Sequence, residues 1–144
     1  MTDKSKELHA SVKLVNNKLL FEGAVVGNEP ISIDYIPPLG DNMGYTSLEL
    51  LLLSLSSCVG SAVLTFLRKM QKTITACEIS AVGTRREEHP TGFKTILLFI
   101  KLHSPDTSEA ELNKVLKLSE ETYCPVWAML RGNVEMKIHS SIIQ

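Results

Sequence analysis

"YTSLELLLLSLSSCVGSAVLTFLRKMQ", Tyr45–Gln71, decides how the rest of the chain is read. Thr46 and Glu49 stand three residues apart, the spacing of a capping box, so a helix is expected to start there. Arg68, Lys69 and Lys72 crowd its far end, where positive charge suits the helix dipole. A helix to about Met70 has roughly 24 residues and a length of about 36 Å, which makes it the central element of a small domain. From Leu50 to Leu67 it carries no charge, and that run has the length of a short membrane span. Ser54, Ser56, Ser57, Ser61 and Thr65 interrupt the run. The surrounding segments read as strands and surface loops, so the expectation is a core helix covered on all sides, with no membrane contact.

Working outward, "ELHASVKLVNN", "LLFEGAVV" and "ISIDYI" read as three antiparallel strands with short turns, followed by the loop "PPLGDNMGYT". Beyond the helix, "TITACEISAVGTRREE" alternates with period two, and "FKTILLFIKLHS" answers it across the turn "HPTG". Ser108 and Glu111 form a second capping box that opens "SEAELNKVLKLSEETY" as an amphipathic helix, with Leu112, Val115, Leu116 and Leu118 on its apolar side. Pro125 breaks that helix, "VWAML" gives a further short turn ending near Gly132, and "VEMKIHSSI" closes as a strand. The order predicts an α+β fold in one domain, residues 1–144, with antiparallel strands packed around the long helix.

The chain has 144 residues, 44% hydrophobic and 22% charged, with a formal net charge of -1. That is globular composition with a core of useful size, and no basic stripe invites nucleic acid. "MTDKSKELHA" lacks the features of a secretion signal, so a cytoplasmic location is expected. Three cysteines, an odd number, argue against a disulfide framework. They are spaced at least nineteen residues apart and the four histidines are scattered, so no metal site is expected.

Each thiol has a packing reading and a reactive one. Cys58 lies deep in the helix, where apolar burial opposes ionisation and the dipole gives little help. Small Ser54, Ser57, Gly60 and Ser61 leave space beside it. Cys124, just before Pro125, sits at a helix break, where exposed backbone N–H groups favour a thiolate. Cys77 falls on a regular apolar strand face and reads as packing. "RREEH", Arg85 to His89, reads as a solvated hairpin tip, and Trp127 as a packing residue or as the wall of an apolar pocket.

"SLELLLLSLSSCVGSAV" with the distant "YCPVWAMLRGNVEM" resembles the OsmC/Ohr family of hydroperoxide reductases, and the resemblance covers essentially the whole chain. It implies an intertwined homodimer with pockets at the dimer interface. It implies that Cys58 attacks an organic hydroperoxide and becomes a sulfenic acid, and that Cys124 condenses with it to a disulfide. An external dithiol, a lipoylated protein or a small thiol, then reduces the pair, with no metal, haem or flavin. Reaction of a peroxide with a thiolate and resolution by a second thiol agree with cysteine chemistry, and an apolar pocket would favour alkyl over hydrogen peroxide.

The family's active members set an arginine from the N-terminal strands against the reactive thiol and hold it with a glutamate near the helix start. This chain has no arginine before Arg68, and Leu48 stands at the glutamate position with Glu49 beside it. Glu49 is the candidate acidic group; Lys13, Lys18 and Arg131 are candidate positive charges. Trp127 stands where the family often has a small polar residue. The alternative function is a diverged member that binds a small apolar or electrophilic molecule without peroxidase turnover.

Overall fold

Both capping boxes form, and they set the two long helices. The computed structural model of the protein describes residues 3–144. Thr46 N–H donates to Glu49 Oε1 at 2.9 Å and Glu49 N–H to Thr46 Oγ1 at 3.2 Å, opening α1, Ser47–Lys69. Ser108 and Glu111 exchange the same two bonds at 2.9 and 3.1 Å and open α2, Glu109–Leu118.

The chain divides into two compact units, Met1–Leu50 and Leu51–Gln144, with the boundary inside α1. The first unit holds the expected antiparallel meander: β1, Ser11–Leu14, β2, Phe21–Ala24, and β3, Ile31–Ile33, in that spatial order. The strands are shorter than the alternating segments because the flanking turns claim their ends; Val15 N–H already bonds Leu20 O across the first turn. The loop after β3 is braced by Asp34, 3% exposed, whose carboxylate accepts the N–H groups of Tyr35, Asp41 and Met43.

The second unit is built on a sheet of order β4–β5–β6: β4, Ala76–Arg85, β5, Phe93–His103, and β6, Glu135–Ile143. β4 and β5 are the expected hairpin, whereas β6 lies parallel to β5, from Thr95↔Glu135 to His103↔Ile143. A parallel neighbour needs a long crossover, which the helical segment between β5 and β6 supplies. Ile96, Leu98, Ile100 and Leu102 alternate along β5 onto the buried face. Leu55, Val59, Val63 and Leu67 of α1 and Leu112, Val115 and Leu116 of α2 are among the other buried apolar residues of this core. Gly60 marks the close approach of α1 to β4: a Cβ there would lie 2.8 Å from Ile79 Cδ1.

Two helical expectations are refined. The segment after α2 does not continue as α-helix to Tyr123; Ser119–Tyr123 widens into a π turn. Ser119 Oγ bonds Val115 O, and the N–H of Cys124 reaches back five residues to Ser119 O. Then α3, Pro125–Leu130, begins with proline at a position that needs no N–H donor. Nor is α1 covered on all sides within one chain, since Leu53 is 52% exposed. By length and composition α1 is long and apolar enough to cross a membrane, yet one of its faces is committed to the core just described.

Candidate active site

On α1, in steps of about 100°, Cys58 falls between two faces. Leu55, Val59, Val63 and Leu67 run down the buried side, and Ser54, Ser57, Ser61 and Thr65 down the exposed side. The thiol at their border is half-buried. Cys124 comes from the junction of the π turn and α3 and is 2% exposed. The fold brings these two expected residues together: their Sγ atoms are 2.9 Å apart, with Cys124 donating to Cys58, and both are free thiols.

Local structure explains why Cys124 points there. It is the N-cap of α3, with extended backbone (φ -92°, ψ 105°), and its sulfur accepts the Trp127 N–H at 3.3 Å. The preceding residue, Tyr123, packs its ring on Phe66 of α1 with centroids 4.6 Å apart. Phe66 lies about two turns beyond Cys58 on α1, so the stack pins the π turn beside the helix that bears the other thiol. Trp127, 6% exposed, is buried in the core and also supplies the N–H that orients Cys124. Neither Tyr123 nor Phe66 was singled out by sequence. The only hint was an aromatic residue next to Cys124 at a helix break.

Cys124 holds its proton tightly. Burial pushes the Cys124 thiol up to about 11, the bond to Cys58 adds to the effect, and the Trp127 and Val126 N–H groups oppose it. Cys124 is therefore a neutral thiol that donates, and Cys58 is the acceptor. The sequence expectation that the helix break alone would favour a Cys124 thiolate gives way to burial.

Glu49 is in the first turn of α1, where the Thr46 bonds lower its carboxyl pKa. Lys18 pairs with Asp41 at 2.9 Å, and Lys13 is exposed on β1. Arg131 donates to Glu120 O. Cys77 lies on β4 in the lining of a groove of about 530 Å³, together with Ser57, Ser61, Leu64 and Arg68. Burial, and then the Glu78 charge, push its thiol up.

Residues 40–139 match the family of OsmC-like proteins. Protein YhfA of Escherichia coli K12 is 30% identical over 89 residues, a match that takes in 62% of this chain and 66% of YhfA. The chain thus spans just under two thirds of that relative's length. A hypothetical protein from Aquifex aeolicus shares the fold with a TM-score of 0.84 at 27% identity, over 96% of this chain and 97% of the other. An organic hydroperoxide resistance protein OsmC from Legionella pneumophila matches with a TM-score of 0.70 at 17% identity, over 94% and 96% of the two chains. At that identity the likeness is one of fold.

Proposed function

The chain belongs to the OsmC-like protein family, and from that premise we propose that it is a two-cysteine thiol peroxidase acting on organic hydroperoxides. Family membership supports a redox or hydroperoxide-resistance role. The observation that carries the finer reading is the 2.9 Å separation of the Cys58 and Cys124 sulfurs. A peroxide-oxidised thiol needs a second thiol within reach to trap it, and residues 66 apart in sequence meet here for that step.

The Cys58 thiolate attacks the outer oxygen of ROOH. The O–O bond breaks, the sulfur becomes a sulfenic acid, and the alkoxide leaves with a proton as ROH. Cys124 then attacks the Cys58 sulfur; the S–O bond breaks, the disulfide forms, and the hydroxide leaves with the Cys124 proton as water. Thiol–disulfide exchange with an external dithiol, a lipoylated protein or a small thiol, returns the pair to its reduced form. Glu49, nine residues before Cys58 in the sequence, is the acidic group of the proposed site. The active unit is a homodimer, a reading supported by the apolar side of α1 that one chain leaves exposed at Leu53. Its location is cytoplasmic.

The test is the mass of the reduced protein after one equivalent of cumene hydroperoxide, with peptide mapping. Loss of two hydrogens mapped to Cys58–Cys124 is the expected result. A second reading, binding of a small apolar or electrophilic molecule without turnover, is favoured by one observation: Arg131, the arginine nearest Cys124 in sequence, is engaged with Glu120 O. Unreacted thiols after that treatment would replace the peroxidase reading with this one. The dimer is tested by light scattering, where twice 15.9 kDa is expected and a mass near one chain refutes it.

A further inference from the structure

A thiol half-way down an apolar helix needs a donor or a positive charge to ionise at neutral pH. The helix dipole falls off within the first turn. Cys58 is the twelfth residue of α1. The charged groups on the elements that carry its partner are Glu120, Glu121 and Arg131, and the one cation among them bonds the Glu120 carbonyl. What does reach the Cys58 sulfur is the S–H of Cys124.

We propose that the Cys124 S–H is the hydrogen-bond donor that activates Cys58, so that one side chain first prepares the nucleophile and later resolves its oxidised form. This rests on the reading of Cys58 as the attacking thiol. Cys124 is 2% exposed, so water does not compete for its proton. Its own sulfur accepts the Trp127 N–H, giving a chain of donors, Trp127 N–H to Cys124 Sγ and Cys124 S–H to Cys58 Sγ. Each bond in such a chain polarises the next.

The same arrangement orders the two steps. The bond to Cys58 and the Cys58 charge both help keep the proton on Cys124, while the Trp127 and Val126 N–H groups pull the other way. Oxidation of Cys58 to a neutral sulfenic acid removes its charge and leaves the two N–H donors in place. Cys124 then gives up its proton more readily and becomes the attacking sulfur, at the moment when its target exists.

The test needs no peroxide. In a Cys77→Ser background, iodoacetamide labelling of Cys58 is followed by peptide mapping between about pH 5 and pH 10. Cys124→Ala removes the donor; labelling of Cys58 at pH 7 should slow about tenfold, the effect of losing one hydrogen bond to a charged acceptor, and the rate profile should move to higher pH. Cys124→Ser keeps a donor of similar reach and should restore the rate to within about twofold of the parent. A parental rate in Cys124→Ala, or a Cys124→Ser rate as slow as that of Cys124→Ala, overturns the proposal. The reduced parent protein gives an independent reading: the infrared S–H stretch of Cys124 should shift to higher frequency when Cys58 is alkylated, and an unmoved band refutes the bond. Dimedone trapping of Cys58 in Cys124→Ser after cumene hydroperoxide separates the two readings. Normal alkylation with no adduct leaves the donor in place and removes the peroxidase; equal adduct formation in the Ala and Ser variants does the reverse.

Discussion

Closing the Cys58–Cys124 disulfide should raise the melting temperature of the protein by about 11 °C. The bond encloses residues 58–124, a loop of about 67 residues, and the chain-entropy relation for that length gives about 4.4 kcal/mol. Against this stands the cost of reaching it. The sulfurs must close from 2.9 Å to the bonded separation of about 2.05 Å, a shift that side-chain rotation absorbs. The S–H bond between them is lost, at about 1 kcal/mol, leaving about 3.4 kcal/mol. The unfolding entropy of a chain of 144 residues is about 0.30 kcal/mol/K, and the quotient is the stated rise. The assay is calorimetry of the Cys77→Ser protein, reduced or oxidised with diamide, with the disulfide mapped in each sample. Cys58→Ser and Cys124→Ser should show no rise under the same oxidant. A mapped Cys58–Cys124 disulfide with an unchanged or lower melting temperature would refute the reasoning, because it would mean that the pair is forced rather than poised. Only intermolecular disulfides would refute it from the other side.

Three further outcomes follow from the same packing. Lys72, 2.8 Å away, and the Ser108 N–H hold the Glu111 carboxyl down to about 2. A depressed carboxyl contributes stability above its ordinary value of 4.5 and loses it as pH falls from there through about 2. Glu111→Gln should therefore flatten the urea-midpoint decline in that acid window, and an identical slope would remove the ion pair from the account. Tyr123→Ala removes the ring on Phe66; diamide closure of the Cys58–Cys124 disulfide should slow about tenfold through lost orientation, with about 1 kcal/mol of stability lost. Unchanged closure would assign the placement of Cys124 to the π turn alone. Ser108→Ala should cost about 1 kcal/mol, seen as a fall of about 3 °C in melting temperature, and no fall would show the cap of α2 to be dispensable.

The parts of the fold legible in sequence are those whose determinants are local. Thr46 with Glu49 and Ser108 with Glu111 specify two helix starts within four residues each, and both boxes form. The period-two runs of β4 and β5 carry their own register because one face is buried. The π turn was not legible, because it depends on Cys124 N–H reaching back to Ser119 O, and an α-helical reading of "SEETY" satisfies the same pattern. The parallel direction of β6 was not legible either, since alternation is the same in both directions. Leu53 shows the limit of the helix reading: an uncharged run of leucine and serine does not say which of its faces its own chain covers. At the site, sequence named both cysteines and left their separation open. That separation is set by a ring stack, a helix cap and the phase of α1, three terms from distant parts of the chain.

The three thiols are sorted by their surroundings rather than by their distance from solvent alone. Cys77 has burial and then the neighbouring Glu78 charge against ionisation, and both act whatever the state of the other cysteines. Cys124 has burial against it as well, but part of its resistance comes from the bond to Cys58 and the Cys58 charge. Cys58 is half-buried and receives a hydrogen bond from a thiol that keeps its proton. In the proposed mechanism an electrophile arriving from solvent would meet one prepared sulfur and one conditional sulfur, with the third held out of the reaction. The helix break alone favours a Cys124 thiolate. In the proposed mechanism, burial of the Cys124 sulfur and the direction of its S–H bond leave Cys58 as the attacking thiol.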